Sequence, residues 1–259
     1  MKNLSIHIFV LLVVCISHTA SPQPENMVVV EGGNYLPLYG VDTSLVQVES
    51  FYMDVYPVTN QEYLKFVKEF PQWKKSKVKR LFADGNYLLG WQGDENYGQL
   101  LPNAPVTNVS WFAAKKYCEC QGKRLPSMDE WEFAAMADEN VPDARKNKSY
   151  NQYILGWYET RHNLQQPIGS TFKNYWGIYD LHGLVWEWTS DFNSVLLSGE
   201  SRKDVDKDAN LFCGSAAVGA TDLMNYAAFM RYAFRGSIKA NYAIKNLGFR
   251  CANDIEIEP

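Results

Sequence analysis

Residues 177–191 read Gly177-Ile178-Tyr179-Asp180-Leu181-His182-Gly183-Leu184-Val185-Trp186-Glu187-Trp188-Thr189-Ser190-Asp191, and residues 246–251 read Asn246-Leu247-Gly248-Phe249-Arg250-Cys251. Each stretch places large apolar side chains beside glycine and a charged group. Each predicts a short strand, over residues 184–189 and 247–252. Aromatic residues make up 14% of the 259-residue chain, including 8 Trp and 16 Tyr. Rings in that number fill the core of a loop-rich fold that helices and sheets alone would leave open.

Outward from these segments, the pattern is mixed. An apolar run at 27–30 ends at Gly32-Gly33 and reads as a strand and turn. Residues 46–55 alternate around Phe51 and Tyr52 and predict a second strand. Thr59 and Glu62 form a capping box, followed by Tyr63, Phe66, Val67 and Phe70 at helical spacing and a stop at Pro71. A second helix is predicted after Ser110, ending near Gln121-Gly122. A third follows Pro126, with Ser127 and Glu130 as its capping box. Residues 72–103 show no clean period, and the basic run at 74–80 reads as a solvated surface. Beyond Asp138 the chain reads mostly as loop. There is no internal repeat or linker, so residues 27–253 are expected to form one domain.

Hydrophobic residues at 46% and charged residues at 21% suit a packed core. The net charge of −4 argues against a nucleic-acid partner. Lys2, the apolar run behind it and Thr19-Ala20-Ser21 read as a signal peptide over residues 1–20. The expected location is therefore periplasmic or secreted, with a membrane attachment only if that segment stays uncleaved. Beyond it stand four cysteines, Cys118, Cys120, Cys213 and Cys251, and two histidines, His162 and His182. Export permits disulfides among the former. Two histidines make an iron or zinc centre hard to build.

Three motifs carry a resemblance to a known family. The first runs from Pro105-Val106 through Asn108-Val109-Ser110-Trp111 and Tyr117-Cys118 to Gly122-Lys123-Arg124-Leu125-Pro126 and Glu130-Trp131-Glu132. The second and third are the two stretches quoted at the outset. In this order they resemble the signatures of formylglycine-generating enzymes, the sulfatase-modifying factors, across essentially the whole chain from residue 27. The resemblance implies a compact α+β fold related to C-type lectins. It implies a disulfide between Cys118 and Cys251. It also implies a calcium site formed by Asp180, the carbonyls of Gly183 and Val185, and Glu187, an all-oxygen set of the kind calcium prefers.

The family's chemistry is the oxidation of a sulfatase cysteine to formylglycine, with copper(I) held by two closely spaced cysteines after a Gly-Gly-Ser turn. Thiolates suit copper(I) because both are soft. The corresponding stretch here begins Phe212-Cys213-Gly214-Ser215. Aligned on Arg231, Arg235 and Ser237, the two cysteine positions fall near Asp222 and Ala227. Calcium is thus expected and copper is not. The groove candidates are Cys213, Ser215, Arg231 and Arg235. Each has a plain structural reading beside the functional one: the arginines as ion pairs of a loop-rich fold, Cys213 and Cys120 as packed residues or a disulfide. Two functions follow. One is an exported accessory protein that binds a peptide, a protein or a small molecule without catalysis. The other is an oxidoreductase that acts on an exported substrate without the copper pair. The fold alone does not choose between them.

Overall fold

The computed structural model describes residues 26–37, 45–159, 166–193 and 223–255. Strand β1 (Met27–Val30) pairs antiparallel with β4 (Phe51–Asp54), and β4 pairs antiparallel with β7 (Ala252–Asp254). The first and last strands of the domain therefore share one small sheet, in the order β1-β4-β7. The expected single strand over 46–55 is two. β3 (Val46–Val48) forms a hairpin-like pair with β2 (Gly33–Tyr35), and the chain then breaks and changes sheet. Gly32 sits against the break. A Cβ there would lie 2.3 Å from the Val48 carbonyl oxygen, and the Gly32 N–H donates to Ser50 Oγ at 2.9 Å. The crossing is therefore closed to any larger residue.

Helix α1 (Asn60–Glu69) starts at the Thr59–Glu62 capping box and α3 (Met128–Ala135) at the Ser127–Glu130 box, as the sequence predicts. Helix α2 (Trp111–Cys120) is capped by Ser110, whose hydroxyl accepts from the Ala113 N–H. In each case a side-chain oxygen satisfies a backbone donor that the first turn leaves free. Tyr63 and Phe66 of α1, Tyr117 of α2 and Phe249 pack ring against ring in the main core. Next to this cluster Cys118 and Cys251 form the disulfide that the resemblance implied, with their Cα atoms 5.6 Å apart.

Two helices correct the expectation of loop beyond Asp138: α4 (Lys148–Glu159) and α5 (Leu223–Ser237). Both hide from periodicity for physical reasons. α4 carries three tyrosines, a tryptophan and Gly156, which are poor helix formers. Its buried Tyr150, Asn151, Ile154 and Leu155 include a polar residue. α5 turns Arg231 and Arg235 inward beside Ala227 and Ala228, so its buried face is not an apolar stripe. The two short strands near the signature motifs are shorter than expected. β5 (Trp186–Glu187) pairs parallel with β6 (Leu247–Gly248) and brings the motifs together. Gly248 makes this possible, because a Cβ there would lie 2.6 Å from the Val106 carbonyl oxygen. Among the described residues no helix is long and apolar enough to cross a membrane. Residues 1–20 lie outside the described set.

Candidate functional site

Two of the carboxylates that the joined motifs bury, Glu187 and Glu132, are held by arginine. Glu187 accepts from Arg250 Nε at 2.8 and 3.0 Å and from Arg250 Nη2 at 2.8 Å. The rest of the Arg250 guanidinium donates to the carbonyls of Asp54, Val55 and Tyr179. Arg250 is fully buried, and all its donor groups are matched. Glu132, on α3, accepts from Arg231 Nε and Nη2 and from Arg235 Nη1 at 2.6–3.1 Å. The two arginines stand one turn apart on α5, so a single carboxylate reaches both. Burial alone would raise the Glu132 pKa, but the two guanidinium charges and their hydrogen bonds outweigh it and hold it at about 2.

Trp131 links the two ion pairs. Its Nε1–H donates to Glu187 at 2.8 Å. Its ring lies under the Arg235 and Arg231 guanidinium groups, at 5.0 and 5.6 Å from the centroid. The Glu-Trp-Glu run of α3 thus meets the Trp-Glu-Trp run that begins in β5. Reading the sequence missed Glu132 as the partner. The signal was there, in two arginines at helical spacing with no assigned acid.

The arginines among the groove candidates are therefore committed to internal pairing: Arg231 and Arg235 are 3% and 4% exposed. Arg231 also donates to the Tyr158 hydroxyl at 3.3 Å. Tyr158 stacks on Trp186, and Trp186 packs on Phe234 of α5, with centroids at 5.1 and 4.6 Å. This aromatic stack joins α4, β5 and α5. Ala227, near which the second copper-ligand position falls, is fully buried with Ala144, Tyr150, Ile154 and Leu155. Asp222, Cys213 and Ser215 lie outside the described residues. A cavity of about 10 Å³ lies between Tyr35, Glu132, Arg231 and Arg145. It has room for one water.

The other chemically capable groups are also buried in structural roles. His182 is packed edge-on between Trp131 and Tyr150, with Nε2 against the Ala135 carbonyl at 2.7 Å. Burial pushes its pKa down to about 3, so it is neutral at neutral pH. His162 lies outside the described residues. Cys120 is a free, partly buried thiol whose pKa is raised, chiefly by burial. That disfavours the thiolate a nucleophile or copper ligand must be. Among the described residues no group of three or more His, Cys, Asp or Glu converges as metal ligands do.

As arranged, the expected calcium positions do not fit the ion. Asp180 takes the Gly169 N–H on one oxygen at 2.6 Å, and the Thr171 N–H and hydroxyl on the other at 3.0 and 2.9 Å. Glu187 is neutralised by Arg250. Calcium needs six or more oxygens with charge to spare, and both oxygens of each carboxylate already accept protein donors. Asp180 and Leu184 also hold φ angles of +65° and +56°. A leucine in the left-handed region is unfavourable, and the tight packing around it maintains the turn.

The chain matches the family described as "Sulfatase-modifying factor enzyme 1-like domain" over residues 15–255. It is 27% identical to the "Formylglycine-generating enzyme" of Bos taurus, over 81% of this chain and 67% of that protein. It is 28% identical to the "Inactive C-alpha-formylglycine-generating enzyme 2" of Bos taurus, over 80% of this chain and 78% of that protein. Among solved structures, PvdO from Pseudomonas aeruginosa superposes with a TM-score of 0.49 at 19% identity, covering 88% of this chain and 94% of PvdO. The chain belongs to the family of sulfatase-modifying factor enzyme 1-like domains.

Proposed function

We propose that this protein is an exported, non-catalytic member of its family that keeps the fold as a binding or maturation scaffold. The observation that carries the reading is Ala227. The position near which the second copper thiolate would fall holds a methyl group, fully buried between α5 and α4. A single substitution there would not restore the site, because a longer side chain would press on Ile154 and Tyr150. The pairing of Arg231 and Arg235 with Glu132 supports the same reading, since both arginines serve the fold. The occupant is a peptide, a protein or a small molecule outside the cytoplasm. Export rests on the signal-like segment over residues 1–20.

An oxidoreductase that works without the copper pair is the second reading; of its motivating residues, Arg231 and Arg235 are engaged in the core, and Ser215 lies outside the described residues. Competition for copper(I) against a chromogenic chelator tests the first reading. The expected result is no copper retained by the protein. Stoichiometric copper that is lost in Cys213→Ser would overturn it.

A further inference from the structure

The basic run at 74–80 divides into two groups. Lys74 pairs with Glu95 at 2.6 Å. Lys75 donates to the Trp91 and Leu89 carbonyls at 2.5 and 3.4 Å. These two fasten the run to the 85–95 segment. Lys77, Lys79 and Arg80 are exposed and make no ion pair among the described residues. Of the nearby acids, Asp94 reaches across to the run, accepting from the Ser76 N–H and hydroxyl with Lys77 in its field, while Asp84 accepts from the Asn86 N–H on its own loop. Three cations therefore face outward without a direct ion pair, Lys77 alone having a carboxylate, Asp94, in its field, on a chain whose net charge is −4.

The same corner exposes two leucines. Leu81, next to Arg80, is 73% exposed, and Leu89, whose carbonyl accepts from Lys75, is 60% exposed. Leu89 is held outward by its neighbour. Leu88 is fully buried at φ +48°, with its N–H on the Asn108 carbonyl at 2.8 Å. A bulky residue in the left-handed region persists only where its surroundings fix it, and here the strained turn puts an apolar side chain in water. The Arg80 guanidinium lies across Gly85, 2.9 Å from where a Cβ would stand, which keeps the two segments adjacent.

We propose that this corner is a membrane-docking face, in which Lys77, Lys79 and Arg80 meet anionic lipid head groups and Leu81 and Leu89 enter the edge of the acyl region. Cations beside protruding apolar side chains suit an anionic bilayer surface, which rewards both. A soluble polyanion would use the charges and leave the leucines without a role. The inference is independent of the signal-like segment and of the proposed scaffold function.

Co-sedimentation of the full chain with vesicles tests it, comparing pure phosphatidylcholine with a phosphatidylglycerol mixture at ~0.1 M salt. Binding is expected on the anionic vesicles, well above that on neutral ones, and should weaken as salt is raised. Replacing all three cations (Lys77→Ala, Lys79→Ala, Arg80→Ala) should weaken it by roughly 100-fold. Leu81→Ser with Leu89→Ser should weaken it by about 10-fold with the charge intact. All five side chains are exposed, so thermal unfolding should match the unmodified protein. Equal binding to neutral and anionic vesicles would overturn the proposal. So would an absence of vesicle binding alongside heparin binding that the leucine changes leave untouched.

Discussion

Replacing Glu132 with glutamine removes one negative charge from the centre of the domain and changes almost nothing in volume. Two guanidinium groups, 3% and 4% exposed, would then face an amide. The size of the loss follows from the carboxyl group itself. Its pKa falls from 4.5 to about 2 on folding, and at ~1.4 kcal/mol per pKa unit the ionised form contributes about 3 kcal/mol at neutral pH. That agrees with the roughly 3–5 kcal/mol lost when one partner of a buried ion pair is removed. The sign is fixed by the direction of the shift. A carboxyl group depressed in the folded state stabilises fully above pH 4.5, and its contribution is lost as pH falls from there toward 2. Urea unfolding of Glu132→Gln at pH 7 should show a midpoint lowered by the equivalent of about 3 kcal/mol, and the variant should lose this part of the acid dependence. A change below about 1 kcal/mol, or an unaltered acid limb, would refute the view that Glu132 holds α5 to α3 by charge.

Reduction of the Cys118–Cys251 bridge should cost up to about 5 kcal/mol on the chain-entropy estimate for its separation of 133 residues, read as a lowered unfolding midpoint in dithiothreitol that Cys118→Ser reproduces. His182 is depressed to about 3 by burial, so its contribution is present above pH 6.5 and declines as pH falls toward 3. His182→Gln should remove a slope of about 1.4 kcal/mol per pH unit, measurable between pH 6 and 5 as a flatter stability profile. Adding calcium or a chelator should leave the melting temperature unchanged, because Arg250 already occupies Glu187. A rise with calcium that Asp180→Ala abolishes would restore calcium to the turn.

Much of the architecture was legible in the residues. The capping boxes at Thr59 and Ser127 located helix starts because a hydroxyl and a glutamate three positions apart have one good use. The disulfide followed from the resemblance. What stayed hidden depends on contacts distant in sequence. Residues 46–55 alternate as one strand, and only the approach of Gly32 to Val48 reveals the change of sheet. α5 buries arginines, so its inner face looks polar until Glu132 is placed opposite. Asp180 and Glu187 suit a cation by type, and the donors that occupy them, Thr171 and Arg250, can be recognised only in three dimensions. Cys213 and Ser215 lie outside the described residues.

As a non-catalytic scaffold, the proposed role, the protein keeps the family's fold without its copper chemistry. Mass spectrometry of a sulfatase-type cysteine peptide, incubated with the protein, copper(I) and oxygen, tests it most directly. The expected spectrum shows the peptide with its sulfur retained. Conversion to formylglycine that disappears in Cys213→Ser would contradict the account and return the protein to the copper oxidases.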